Sequence, residues 1–283
     1  MHACPPQKYT LPGCDARQAE RTPPRQPPPL LLAPVGDKTV ALAFDGGRLS
    51  AAAGLVLLQE SEDPRGLTRA LAAVLADARA VRRLHFTPED RLTQRILHMA
   101  AGYAEANDAH TLRHAPLVTL LLDRLPATGA PWASQPTLSR GAHSVSRPAM
   151  YRLALVLGEQ CMASYTRPPE VIVRDVDDTE DRAHGAQAQS RYAGYDGGYG
   201  CMPCHLYEGL SGPLITTILQ AKRFSGAHLL AVLTRVGKRL RPAWPATWCI
   251  CRGDRHLAYP EVMAWSEAPA SLSYGIGLTR HAV

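Results

Sequence analysis

The sequence has few lysines and no apolar run long enough to cross a membrane. Only four of its 31 basic residues are lysines, so arginine supplies most of the positive charge. A GC-rich coding sequence accounts for that bias, and so does the bidentate grip of guanidinium groups on phosphate. The leucine run at 30–32 is far too short to span a bilayer. Because the N-terminal segment lacks a sustained apolar core, we expect no secretory signal, a cytoplasmic chain and no membrane partner.

The number of cysteines is small and odd, which argues against a disulfide framework. The seven cysteines are expected to be reduced in a cytoplasmic compartment. Cys201 and Cys204, with His205 beside them, and the pair Cys249 and Cys251 raise the alternative of a zinc site. The second pair encloses only one residue, where structural zinc sites usually have two to four. Burial as small hydrophobes is therefore the favoured interpretation.

Length and charge indicate a chain of two domains with a polyanionic partner. The 283 residues suffice for two hydrophobic cores. The formal charge of +6 and the isoelectric point near 9.0 favour a partner such as nucleic acid. Nine prolines before residue 35 predict a disordered or extended segment over 1–36.

Helical periodicity dominates the next part of the chain, and strands dominate the last. Residues 38–54 predict a strand, a Gly-Gly turn and a return strand. Helices are then predicted over 67–81, 93–108 and 115–125. A loop over 133–140 precedes a helix through 150–160, for which Ser139 or Ser144 is the predicted cap. We therefore expect a mainly helical region over 37–167.

From residue 168 onward the pattern predicts β-β-β-α-β. The strands are expected at 169–177, 204–209, 213–219 and 246–251, with a Gly/Tyr loop at 194–203, a helix over 226–241 and a further strand near 271–278. The fold class is accordingly α+β or α/β, with helices before a mixed sheet. This C-terminal region is the predicted second domain, 168–283.

The densest negative charge follows a buried strand. VIVRDVDDTED at 171–181 holds five acids in seven residues, and Asp254 follows another predicted strand. Alternation places Asp175 and Asp177 on one face, where like charges repel unless a cation lies between them. A solvated acidic turn is the simpler alternative. Carboxylates gathered at neighbouring strand ends are suited to bind Mg²⁺, and we take that as the working hypothesis.

Two enzyme classes have such an acid box. The segment from Asp175 to Thr179 matches the DxDxT box of haloacid-dehalogenase-like phosphatases, with Asp175 as nucleophile and Asp177 as acid/base. However, the later acid pair of those enzymes is missing, because Ala258 stands where its second Asp should fall. Over most of residues 40–280 the chain instead resembles the DDE transposases of bacterial insertion sequences, in the group with a DxDDT-type first strand. The stretches that carry the resemblance include GYAEAND (102–108), ASQPTLSR (133–140), VDDTEDRAHGAQ (176–187) and CRGDRHLAYPEV (251–262).

The resemblance implies an RNase H-like fold and a two-metal site that uses Mg²⁺ or Mn²⁺. By position in the motif, the first catalytic acid is Asp177, with Asp175 as the fallback metal ligand, and the second is Asp254. Family members hold two ions that activate water, and then a DNA 3′-hydroxyl, for attack on phosphodiesters. The implied partners are double-stranded DNA at transposon ends and at the target, a possible homodimer on DNA, and a place at the nucleoid.

The family's third acid, a glutamate on a later helix, has no counterpart in the resemblance. Glu261 and Glu267 follow Asp254 but stand where the family has no catalytic acid. We therefore expect a truncated, inactive copy or, as an alternative, a non-catalytic DNA-binding remnant. Candidate phosphate contacts, for which a solvated helix face is the simpler explanation, are Lys222, Arg223, Arg235, Lys238, Arg239 and Arg241.

Overall fold

The first compact unit of the chain contains a β-hairpin. The computed structural model describes residues 27–45, 52–75, 85–183, 185, 190–193, 197–219 and 225–277, and the chain divides into units 1–51 and 52–283. In the first unit, β1 (Leu30–Val35) pairs antiparallel with β2 (Lys38–Leu42). Gly36 takes φ 60° at the turn, a conformation that glycine adopts without strain.

This hairpin differs from the predicted one. The partner of β2 is β1, which precedes it, whereas the prediction placed the return strand after a Gly-Gly turn. That turn, at 46–47, lies outside the described residues. β1 falls in the segment predicted to be disordered or extended, and it is extended.

Helices make up the N-terminal part of the second unit, as the periodicity predicted. None of the described helices is long and apolar enough to cross a membrane. They are α1 (Leu55–Glu62), α2 (Leu67–Ala73), α3 (Pro88–Ala100), α4 (Ala109–Leu112), α5 (Pro116–Leu121), α6 (Gln135–His143) and α7 (Arg147–Ala163).

Local capping explains where these helices depart from the prediction. α3 begins at residue 88 rather than 93 because Thr87 and Asp90 form a capping box, and it ends at 100 rather than 108, just before Gly102 with φ 89°. The predicted loop over 133–140 was wrong, since most of it belongs to α6, which begins with a proline in its first turn. The side chain of Ser146, not Ser139 or Ser144, caps α7 by accepting a hydrogen bond from Ala149 N at 3.4 Å.

The C-terminal part of the second unit contains a five-stranded mixed sheet. The elements of this part are β3 (Val171–Asp178), β7 (Cys204–Glu208), β8 (Leu214–Ile218), α8 (Gly226–Leu240), β9 (Trp248–Gly253), α9 (Pro260–Glu267) and β10 (Leu272–Ile276). The strands are arranged in the order β10-β9-β3-β7-β8, and β3 is parallel to β9 but antiparallel to β7. The predicted β-β-β-α-β order is present, followed by a helix and a fifth strand.

A second, three-stranded sheet lies between β3 and β7 in the chain. It consists of β4 (Asp181–Arg182), β5 (Arg191–Ala193) and β6 (Gly198–Cys201), with β6 in the centre. The predicted loop over 194–203 therefore contains a strand. The rings of Tyr192 and Tyr199 meet edge-on at 5.6 Å, a cross-strand pair that stabilises this small sheet.

The main core lies between one face of the five-stranded sheet and the helices. Ile172 and Val176 of β3 face the buried stripe of α8, which includes Leu229 and Leu233. Because side chains alternate along a strand, Asp175 and Asp177 lie on the opposite face of β3. The sheet thus separates an apolar, helix-covered face from the face that carries the acids.

Candidate active site at the strand ends

Asp177 and Asp254 each come directly after the last paired residues of two parallel strands. Val176 of β3 is the Cα partner of Gly253 of β9, and the two acids are the next residues along these chains. Neighbouring strands are about 4.8 Å apart. Both acids belong to solvent-exposed positions, so the carboxyl end of this strand pair presents two carboxylates to solvent.

The ion pair of Asp175 with Arg252 identifies the face on which the acids lie. These residues are Cα partners in β3 and β9, and Arg252 donates to both carboxylate oxygens, with Nε to Oδ1 at 2.5 Å. Their side chains therefore share one face. Asp177 stands two residues further along β3, so the alternation of side chains returns it to that same face. Asp254 follows the last residue of β9, Gly253.

Asp175 is less suited than Asp177 to bind a metal ion. Both of its oxygens accept hydrogen bonds from Arg252, and its carboxylate also lies over Gly209, where an added Cβ would come within 2.5 Å of Oδ2. The ion pair raises the pKa of the Arg252 guanidinium through the hydrogen bond and the charge of Asp175. The arginine thus already supplies the positive charge that a cation would bring.

A histidine and a threonine continue the row of side chains beside Asp177. His205 of β7 is the Cα partner of Asp177, and Thr217 of β8 is the Cα partner of His205. The Thr217 Oγ1 and His205 Nδ1 atoms are 2.9 Å apart, a hydrogen bond that fixes the orientation of the imidazole. The sequence pattern indicates His205 only as a zinc ligand and gives no functional signal for Thr217 or Arg252. The register of the strands would have been needed to find them.

The buried thiol of Cys204 lies in the negative field of the acids at the strand ends. The pKa of Cys204 is raised to about 12, first by burial and then by the charges of Asp178 and Asp177. A negative field at the strand ends is the environment in which a cation or a cationic ligand binds.

Glu261 and Glu267 each have a contact of their own. Glu261 lies against Gly226 at the N-terminus of α8, where a Cβ on the glycine would clash with its carboxylate. Negative charge is favourable at that helix end. Glu267 accepts a hydrogen bond from Tyr274 Oη at 2.9 Å, and this bond raises the pKa of the tyrosine.

The donor type at the strand ends fits a magnesium ion, although the number of protein ligands is small. Carboxylate oxygens are the hard ligands that Mg²⁺ prefers, with water and phosphate completing its shell. Among the described residues, no three His, Cys, Asp or Glu side chains come together as a metal-binding group. The acid pair would therefore depend on non-protein ligands to hold an ion.

The cysteines weighed as a zinc site are core residues in this structure. Cys201, Cys204, Cys249 and Cys251 are buried and free. Burial raises the pKa of Cys251 as well as that of Cys204, which disfavours the thiolate that zinc requires. The favoured interpretation as small hydrophobes agrees with this placement.

The candidate DNA-contacting residues have different environments. Lys222 and Arg223 lie outside the described residues. The Arg235 guanidinium lies 4.9 Å from the ring centre of Tyr151 on α7, and Lys238 is exposed. Arg239 is paired with Glu159. Arg241 donates to the carbonyl oxygens of Pro245 and Thr247 at 3.1 and 2.8 Å, so its guanidinium is engaged in holding the turn after α8.

Comparison with known proteins gives one family. The family model described as "Transposase DDE domain group 1" matches residues 32–283. No curated protein matches the chain.

Solved structures of transposases are similar to the chain at low identity. A piggyBac transposase synaptic complex with hairpin DNA has 14% identity and a TM-score of 0.39, covering 75% of this chain and 46% of that one. The Mos1 strand transfer complex has 13% identity and a TM-score of 0.24, with coverages of 85% and 79%. This chain therefore spans less than half the length of the piggyBac transposase.

Proposed function

Since the chain belongs to the transposase DDE domain family, we propose that it is a DNA transposase by descent, with Asp177 and Asp254 as its paired catalytic acids. The reaction of that class is DNA cleavage and strand transfer at terminal inverted repeats. An insertion sequence of bacterial origin is part of the proposal. It rests on the sequence stretches that resemble such transposases.

One observation carries the proposal: two exposed acids directly follow the last register pair, Val176 and Gly253, of the parallel strands β3 and β9. Two carboxylates on one face repel each other in the absence of a cation. Their neighbour Asp175 is neutralised by Arg252, so Asp177 and Asp254 are better candidates than Asp175 to bind a cation. Such an arrangement favours a divalent cation between them over a purely structural role.

Asp177 and Asp254 would hold Mg²⁺ or Mn²⁺, and a bound ion would supply Lewis-acid activation of a water or 3′-hydroxyl. The chain's own groups set up the surroundings of that ion. Thr217 orients His205 beside Asp177, and Arg252 keeps Asp175 from competing for the cation. A DNA phosphate would approach from the exposed face of the sheet.

The proposed fold is RNase H-like, and the proposed domain boundaries are 1–36, 37–167 and 168–283. Support comes from the strand order β10-β9-β3-β7-β8, with the acids on the central strand and on its parallel neighbour. In this proposal the helices of 37–167 carry sequence-specific DNA binding, because a helix fits the major groove. The partner is double-stranded DNA, bound by a homodimer at the nucleoid.

A non-catalytic DNA-binding role is the second candidate. The observation that favours it is the engagement of Glu261 and Glu267 elsewhere, which leaves two acids for a chemistry that family members perform with three. We accordingly propose that these 283 residues bind DNA without cutting it. The phosphatase alternative has less support, since its nucleophile Asp175 is held by Arg252.

Manganese binding tests the proposed site. Isothermal titration with Mn²⁺ should give weak, saturable binding to the wild-type chain that is lost in both Asp177→Asn and Asp254→Asn. The matched control is Asp37→Asn, an exposed acid of the hairpin, which should bind as the wild type does. Equal binding by all four proteins would remove the acid pair as a metal site.

A further inference from the structure

A buried arginine with unsatisfied donors lies on the face of the sheet opposite the acids. Arg174 of β3 has a relative exposure of 0%, and none of its three guanidinium nitrogens has a hydrogen-bond partner among the described residues. Arginine stays protonated in proteins. Neither solvent nor the described protein groups therefore hydrogen-bond to this charge, and a buried charge is costly unless it is paired.

The carboxylate nearest in register is occupied by other donors. Glu208 is the Cα partner of Arg174 across β3 and β7 and is equally buried. Its oxygens accept from the backbone N–H groups of Val173, Leu210 and Ser211, and from Ser211 Oγ. Arg174 instead points its guanidinium toward the ring of Trp265 on α9, at 5.7 Å. A ring face attracts the charge but accepts no strong hydrogen bond.

Arg174 forms part of the wall of a cavity with a strongly basic lining. The cavity has a volume of about 280 Å³ and lies among β3, α8, α9 and the start of β10. Lys238 and Arg241 line it together with Arg174, and no aspartate or glutamate is among its lining residues. Thr234 and Ser271 are also among its lining residues. A water molecule takes up about 30 Å³ in the liquid, so a five-atom oxyanion fits with room for several waters.

We propose that this cavity binds a small tetrahedral oxyanion, such as inorganic phosphate or sulfate, through Arg174 and Lys238. Arg241 contributes its charge nearby, while its guanidinium donates to Pro245 and Thr247. The fork of a guanidinium group matches two oxygens of such an ion. Lys238, exposed at the rim, adds a mobile point charge. The site is separate from the acid pair, which lies on the other face of β3, and the proposal does not depend on the proposed transposase function.

Thermal unfolding and calorimetry of the DNA-free, full-length chain test this site. Sodium phosphate, compared with sodium chloride at equal ionic strength and pH, should raise the Tm of the wild type by several degrees in a saturable manner, because the ion binds the folded state. The Arg174→Leu variant should lose this response. The matched control is Arg167→Leu, an exposed arginine outside the cavity, which should keep it. An equal response in all three proteins, or none in the wild type, overturns the proposal.

Two further measurements complete the test. One replaces Arg174→Leu if that variant does not fold, and the other distinguishes a free ion from a DNA phosphate. If Arg174→Leu does not fold, Lys238→Gln serves instead, and we expect its Kd for phosphate to rise several-fold. An unchanged Kd overturns the proposal. A DNA duplex added at saturation should leave the phosphate Kd unchanged. Competitive displacement of phosphate by DNA would assign the cavity to a nucleic-acid phosphate and overturn the free-ion site.

Discussion

Arg252 of β9 donates two hydrogen bonds to Asp175 of β3, across paired parallel strands. This ion pair stands two residues before Asp177 and two residues before Asp254 in the chain. It therefore neutralises the inner acid, Asp175, whereas Asp177 and Asp254 are exposed. On β3 the candidate metal ligand is therefore Asp177, and not Asp175, which is paired with Arg252.

Iron-directed cleavage should locate one ion between the two outer acids. Fe²⁺ is a divalent cation close to Mn²⁺ in its binding preferences, and with ascorbate and peroxide it generates radicals that cut the nearby backbone. We expect two cuts, near residue 177 and near residue 254, mapped by mass spectrometry. Asp177→Asn should abolish both, and Asp37→Asn should abolish neither. A cut near one acid that persists without the other would show that the two do not share an ion.

Arg235 and Arg241 should behave differently when each is replaced by glutamine. Arg235 lies on α8 over Tyr151 with an exposed side chain, so Arg235→Gln should lower the salt dependence of DNA binding by about one phosphate contact. Arg241 holds two backbone carbonyls. Its replacement should reduce the free energy of unfolding by about 1–3 kcal/mol. Salt titrations of DNA affinity and urea unfolding separate the two effects, and a salt slope unchanged in Arg235→Gln would remove it from the interface.

The sheet was predictable from the sequence because apolar runs and turn residues mark its strands. The runs at VIV, HLYEG, PLITTIL and TWCIC correspond to β3, β7, β8 and β9. The acids at the ends of the first and fourth could be predicted from the same pattern. The pairing register could not, because it depends on contacts between distant segments. That register decides that Asp175 meets Arg252 and that His205 stands beside Asp177.

Local hydrogen bonds explain most of the errors in the helical region. Pro136 looks like a loop residue in isolation, yet a proline in the first turn starts α6 without losing a bond. The capping of α3 by Thr87 moved its beginning five residues earlier than the apolar periodicity indicated. Arg174 was not predictable as a buried charge, because a lone arginine in a strand is usually exposed.

Glu208 should make the stability of the sheet depend on pH. Burial tends to raise the pKa of this carboxyl, but hydrogen bonds from Ser211, Leu210 and Tyr165 outweigh it, so the pKa is lowered from 4.5. A lowered pKa adds stability above the ordinary value, and that stability is lost as the pH falls through the folded value. The wild type should exceed Glu208→Gln in stability near pH 7, and the difference should shrink between about pH 4.5 and pH 3.

Urea unfolding at several pH values measures that difference. The control is Glu170→Gln, an exposed glutamate just before β3, whose effect should be small at every pH. A difference between wild type and Glu208→Gln that stays constant from pH 7 to pH 3 would contradict the prediction.

Leu233 should be among the most sensitive apolar positions of the chain. It is fully buried on α8 in the core beneath the sheet. Leu233→Ala should lower the free energy of unfolding by about 2–5 kcal/mol, through lost burial and the cavity left behind. Leu219→Ala, at a residue 66% exposed, should change it by less than about 0.5 kcal/mol. Similar losses in both variants would place Leu233 outside a packed core.

The last prediction concerns the reaction itself. Phosphoryl transfer depends on where the metal ion and the attacking oxygen are held, since positioning and charge stabilisation supply most of the rate. Glu261 and Glu267 are engaged by α8 and by Tyr274, so two acids would have to hold the ions. We therefore expect the 283-residue chain to shift transposon-end DNA in a gel, but to neither nick nor join it with Mg²⁺ or Mn²⁺.

Strand-cleavage assays on labelled end-containing DNA decide this, with Asp177→Ala and Asp37→Asn run alongside. The absence of products in all proteins, with DNA binding retained, is the expected result. Metal-dependent nicking that disappears in Asp177→Ala and persists in Asp37→Asn would contradict it. In that case a further ligand must complete the site. Loss of nicking in Glu261→Gln or Glu267→Gln would then identify which glutamate leaves its present contact to join Asp177 and Asp254 when DNA and metal bind.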